Sequence, residues 1–135
     1  MNYCLSMVER PALSVSEVSD KSFNPNSNKQ KILRSVPFEK GFHFFTGNRE
    51  YTGITSTSLS EFEEKLKIVN ARSVEYHFRR QDFQRWINYV IGDVELATRI
   101  ARLNKQLSSE NLRKELLKIV RKRIRELEKL IGSVV

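Results

Sequence analysis

The sequence predicts an α+β domain dominated by helices, with a short N-terminal β-hairpin followed by about five helices, the last long and amphipathic. Three observations carry this expectation. Aromatic and β-branched residues flank a Gly-Asn turn within positions 42–55. Serine and aspartate precede several apolar runs of helical spacing. Residues 109–131 separate into one apolar and one basic arc.

The chain divides before the hairpin. Residues 1–36 contain seven serines, four asparagines and only two aromatics, Tyr3 and Phe23, and all three prolines fall within the first 37 positions. Such a segment buries too little apolar surface to offset backbone ordering, which costs about 1–2 kcal/mol per residue. Residues 1–36 are therefore expected to be a flexible polar tail, and 37–135 a single compact domain.

Phe42-His43-Phe44-Phe45-Thr46 and Tyr51-Thr52-Gly53-Ile54-Thr55 form the expected hairpin around Gly47-Asn48-Arg49-Glu50. A two-stranded hairpin is barely stable alone, so it must pack on helices. Ser58 with Glu61 and Ser60 with Glu63 are overlapping capping boxes for a helix carrying Phe62, Leu66 and Val69. Ser73 can cap the following segment. There, Val74, Tyr76 and Phe78 alternate as in a strand, while Val74, His77 and Phe78 share a helical face. Asp82 is expected to cap the helix bearing Phe83, Trp86, Ile87 and Val90, with Gly92 ending it in the left-handed conformation. Asp93 caps the next, whose inner face would hold Val94, Ala97, Ile100 and Ala101. Ser108 or Ser109 opens the last helix, which stops at Gly132.

At 135 residues, with 39% hydrophobic and 30% charged side chains, the chain suits one globular domain. No run approaches the roughly 18–20 apolar residues of a membrane span, and Glu9 and Arg10 interrupt any apolar signal core. A cytoplasmic protein without a membrane partner is expected. Cys4 stands alone, which excludes an intrachain disulfide and a cysteine-based zinc site.

The net charge of +8 is localised. Residues 1–98 carry 13 basic and 12 acidic side chains, residues 99–125 carry 10 and 2, and the last ten carry 1 and 2. In the last helix Leu112, Leu116, Ile119, Val120, Ile124, Leu127, Leu130 and Ile131 fill an apolar arc of about 160°, at 100° per residue. Lys114, Lys118, Arg121, Lys122 and Arg125 fill the opposite arc. Like charges at spacings of four cost a few tenths of a kcal/mol each. A surface for an anion such as nucleic acid would tolerate that cost, and so would an ordinary solvated helix face. Arg113 and Arg123 fall inside the apolar arc, where they would either pair with core carboxylates or mark an interface with a second chain.

His77, Arg79, Arg80, Asp82 and Trp86 form the densest polar cluster. A His beside an Asp can do acid–base work, but no nucleophile or metal-ligand set accompanies the pair, and Asp82 is expected to be occupied as a cap. His43 has no carboxylate at ligand spacing. Trp86 and the aromatics at 42, 44 and 45 fit a core. No phosphate-binding glycine loop or nucleophile elbow occurs, so no catalytic residue, metal or cofactor is assigned.

The motifs Tyr51-Thr52-Gly53, Ser58-Leu59-Ser60-Glu61-Phe62, His77-Phe78, Asp82-Phe83, Trp86-Ile87, Gly92-Asp93 and Leu96-Ala97 together resemble an uncharacterised prokaryotic domain family, well represented in archaea. The resemblance spans about residues 42–103 and implies a helix for the His-Phe segment. Only Arg79-Arg80-Gln81 separate the His-Phe and Asp-Phe pairs here, a shorter interval than the resemblance implies for other members. It brings no activity. Three functions stay open from the sequence. One is a non-catalytic interaction or regulatory module whose C-terminal helix meets a protein partner or a second copy. The second is weak, sequence-indifferent binding of DNA or RNA by the basic arc, and the third is an enzyme using His77.

Overall fold

The computed structural model describes residues 25–132. Its elements run α1 (Pro25–Ile32), a 3-10 turn (Phe38–Lys40), β1 (Phe42–Phe45), β2 (Tyr51–Ser56), α2 (Leu59–Ile68), α3 (Ala71–Arg80), α4 (Asp82–Arg85) continuing into a π-helical stretch (Trp86–Ile91), α5 (Val94–Ala101) and α6 (Ser109–Gly132). The expected hairpin and five following helices are present, and α1 stands in front of them.

That helix moves the domain boundary. Ile32 and Val36 are buried in the core, and the Val36 N–H donates to the Thr57 carbonyl at 2.8 Å. Arg34 donates to the carbonyls of Val90 (2.9 Å) and Ile91 (3.2 Å). The folded unit therefore begins ahead of residue 37, and the polar composition of 25–36 concealed two apolar anchors. The rest of the expected tail, with Cys4, lies outside the described residues.

β1 and β2 pair antiparallel, with Phe42 opposite Ser56 and Phe44 opposite Ile54, and the register slips so that Phe45 faces Tyr51. Gly53, at φ +86°, makes the bulge without a Cβ clash. Thr52 repairs the interrupted ladder, its hydroxyl donating to the Phe44 carbonyl (2.7 Å) and accepting from the Ile54 N–H (3.1 Å). Strand alternation sends Phe42 and Phe44 inward. There they meet Phe62, Phe83 and Trp86, with ring centroids 4.9–5.9 Å apart. The Trp86 indole N–H, which needs a partner once buried, donates to the Lys40 carbonyl at 2.8 Å.

Several helix ends differ from expectation. Ser58 caps α2 by accepting from the Glu61 N–H (3.2 Å), while the Glu61 carboxylate reaches back to the N–H and hydroxyl of Thr57. Asn70, not Ser73, caps α3. Ser73 lies two residues inside the helix, buried, and its hydroxyl has no hydrogen-bond partner. The ambiguous segment 73–80 is thus helical. Gln81, at φ 64°, ψ 27°, is the single residue between α3 and α4. Asp82 is the first residue of α4 rather than its cap, and its side chain turns inward.

Gly92 ends the π stretch at φ 91°, and the N–H groups of Gly92 and Asp93 both donate to the Ile87 carbonyl. Asp93 caps α5 through the Leu96 N–H at 3.2 Å. Leu96, Ala97 and Ile100 line the inner face of α5, whereas Val94 and Ala101 are exposed. Leu112, Leu116, Val120, Ile124 and Leu127 bury one stripe of α6 against α1, α2, α3 and α5, while Leu130 is exposed.

Candidate functional site

With the apolar stripe of α6 turned inward, the opposite face consists of Asn111, Lys114, Lys118, Lys122, Arg125 and Lys129, all exposed. Their spacings of three and four follow the 3.6-residue turn, so they form one straight ridge rising about 27 Å at 1.5 Å per residue. No carboxylate lies within 4 Å of Lys114, Lys122, Arg125 or Lys129 among the described residues. Lys118 has only a loose, exposed pairing with Glu115 at 3.7 Å.

Arg121, grouped with this arc in the sequence, belongs elsewhere: its Nε donates to Glu63 of α2 at 2.6 Å. Lys129 takes its place on the ridge. Its helical angle places it beside Lys118 and Arg125, and the sequence wheel already contained that signal.

Arg113 and Arg123 have partners within the chain. Arg123 makes a fork with Asp93, Nε to Oδ2 at 2.8 Å and Nη2 to Oδ1 at 3.0 Å. Asp93 is buried, so the pair is a largely desolvated ion pair joining α6 to the start of α5. Arg113 donates to the carbonyls of Leu66 (2.6 Å) and Val69 (2.8 Å), orphan acceptors at the end of α2, and to Glu110. Arg99 links Glu95 and Glu126 across α5 and α6. Its hydrogen bonds hold the Glu126 carboxyl below the usual range. The fold's ion pairs thus fall largely to arginine, while lysine occupies most of the ridge.

The second cluster surrounds His77, which is buried among Phe42, Phe44 and Phe83. Its Nε2 accepts the Phe45 N–H at 2.8 Å, and its Nδ1 lies 2.8 Å from Asp82 Oδ2. Accepting at Nε2 requires the proton at Nδ1, so the ring is the neutral tautomer donating to Asp82. Burial lowers its pKa from 6.5, outweighing the opposing pull of Asp82. Arg80 Nε and Arg85 Nη2 each donate to Asp82 at 3.0 Å. For Asp82, burial pushes the carboxyl up, but the hydrogen bonds from His77 and Arg80 prevail and hold it below its ordinary value. His43 Nδ1 lies 2.7 Å from the Thr55 hydroxyl. No group of three His, Cys, Asp or Glu able to hold a metal occurs among the described residues, and no helix there is long and apolar enough to cross a membrane.

Neither the curated proteins nor the solved structures give a match to this chain. The family of unknown function DUF5752 matches residues 20–121, a span that takes in the whole motif series from Tyr51 to Ala97 and also α1. On that match over most of its length, the chain belongs to the DUF5752 family of unknown function.

Proposed function

We propose that this protein is a non-catalytic interaction module that binds nucleic acid through the α6 ridge, gripping the phosphate backbone without reading sequence. The observation that carries this reading is the ridge itself: five exposed cations, Lys114, Lys118, Lys122, Arg125 and Lys129, on one helix face, of which Lys118 alone has a carboxylate within 4 Å among the described residues, the loosely paired Glu115. Lysine suits such a surface as a hydrated point charge that neutralises phosphates one by one. Most of the apolar side chains of α6 are spent on the chain's own core, which leaves charge as the helix's main means of holding a partner. The non-catalytic part rests on His77, whose two ring nitrogens are both committed to buried partners.

Binding of duplex DNA, measured by fluorescence anisotropy across a salt series, tests the reading. Affinity should fall steeply with salt, with a log–log slope near −0.9 per phosphate contact. Changing Lys118 and Lys122 together to Gln should flatten that slope by about two units and leave the unfolding midpoint unaltered. Absence of binding to DNA and RNA at low salt, where the electrostatic contribution is largest, defeats the reading.

A further inference from the structure

We propose that the α6 ridge is fitted to one strand of a double helix: it lies along the outward-facing phosphates of a duplex, enters no groove, and holds duplexes more tightly than single strands or flat anionic surfaces. This rests on the reading of the ridge as a nucleic-acid surface and adds the form of nucleic acid it takes.

At 100° per residue, Asn111, Lys114, Lys118, Lys122, Arg125 and Lys129 fall within an arc of about 80°. Carboxylates stand on both margins. Glu110 and Glu128 lie about 40° beyond Lys114 on one side, and Glu115 about 20° beyond Lys122 on the other. Glu110 and Glu128 are exposed and Glu115 is half-exposed. The cationic strip is therefore one side chain wide. A broad anionic surface laid against it would also meet the flanking carboxylates, whereas a single file of phosphates avoids them. Along the strip, successive cations from Lys114 to Lys129 are separated by about 4.5–6 Å of rise, over about 22 Å in all. A duplex strand carries one phosphate per roughly 3.4 Å of axis, so partners are dense enough for every cation.

An α-helix with its side chains is about 10–12 Å across, close to the roughly 12 Å width of the B-DNA major groove. Such a helix enters the groove only with most of its circumference free. α6 packs against α1, α2, α3 and α5, which leaves the ridge side alone for a partner. Single strands gain affinity from bases stacked on aromatic rings, and no ridge position is aromatic. A duplex needs no such ring and arrives with its phosphates already in line. A single strand loses chain freedom on being straightened along the ridge.

The test is fluorescence anisotropy of the full chain with a short DNA duplex and with its separated strands across a salt series, together with co-sedimentation with phosphatidylserine-containing vesicles. Duplex affinity should exceed that of either strand at least about fivefold at equal salt, with a log–log slope no steeper than about −4.5, the value for five contacts. Asn111→Lys places a sixth cation in line at an exposed position, so it should steepen the duplex slope by about 0.9 with an unchanged Tm. Glu115→Gln with Glu128→Gln should raise vesicle binding more than duplex binding. Equal or tighter binding of the separated strands, vesicle binding by the natural protein that matches its hold on the duplex, or an unmoved slope in Asn111→Lys would each overturn this inference and leave the nucleic-acid reading in place. Absence of binding to every nucleic acid at low salt would overturn both.

Discussion

His77 joins a strand to a helix through two hydrogen bonds, and its burial gives both a pH dependence. Its folded-state pKa lies below the ordinary 6.5, so on acidification the unfolded chain takes up the proton first. Stability should therefore fall as pH drops below about 6.5. Asp82, held below its ordinary 3.8, adds a second loss of the same sign beneath that value. Replacing His77 with Gln should remove the first phase and cost about 1–3 kcal/mol at pH 7, because one buried polar partner is left unpaired. Urea unfolding of both proteins between pH 4 and 8 checks this, and parallel curves would refute it. The pairing of His77 with Asp82 was visible in the sequence only as proximity. Asp82 has every property of an N-cap when read locally. Its actual role depends on partners at 77, 80 and 85 gathered by the left-handed turn at Gln81, which no one-dimensional pattern encodes.

Among the elements, α6 is the one whose two faces answer to different demands. Its buried stripe and its ridge follow directly from 3.6-residue periodicity, and both were legible. Periodicity could not assign Arg113, Arg121 and Arg123, because their partners, the Leu66 and Val69 carbonyls, Glu63 and Asp93, lie on other elements. Arg123→Met would leave the buried Asp93 carboxylate with only its capping bond. That should cost about 3–5 kcal/mol, the usual penalty for stranding one member of a buried pair, and equilibrium unfolding measures it. Arg125→Met, two residues on and about 200° around the helix on the exposed ridge, is the matched control and should stay within about 0.5 kcal/mol. Local signals served the hairpin and the Ser58 and Asp93 caps well. They misplaced the start of α3, where Asn70 acts first and Ser73 is carried into the core.

For the molecule as a whole, the N-terminal boundary is the sharpest departure from what composition implied. A serine- and asparagine-rich stretch looks unable to fold, yet Ile32 and Val36 reach the core and Arg34 closes the carbonyls left open by the π stretch. A chain starting at residue 37 loses all three contributions. Burying an Ile-sized side chain is worth about 2–5 kcal/mol by truncation, and each kcal/mol moves the midpoint by roughly 4 °C at this size. Thermal unfolding of that truncated chain should show a drop of 5 °C or more, and an unchanged midpoint would return α1 to the status of a tail.

The division of labour between the two basic residue types has a chemical consequence. Arginine holds the buried and interhelical pairs, whereas four of the five ridge cations carry primary amines. Acylation of amines cancels the positive charge of lysine and does not touch a guanidinium. Such a modification would discharge the ridge one residue at a time and leave the Arg123–Asp93 and Arg99–Glu126 links intact. On the proposed reading, such chemistry would grade the ridge's hold on phosphates while the architecture beneath it stays the same.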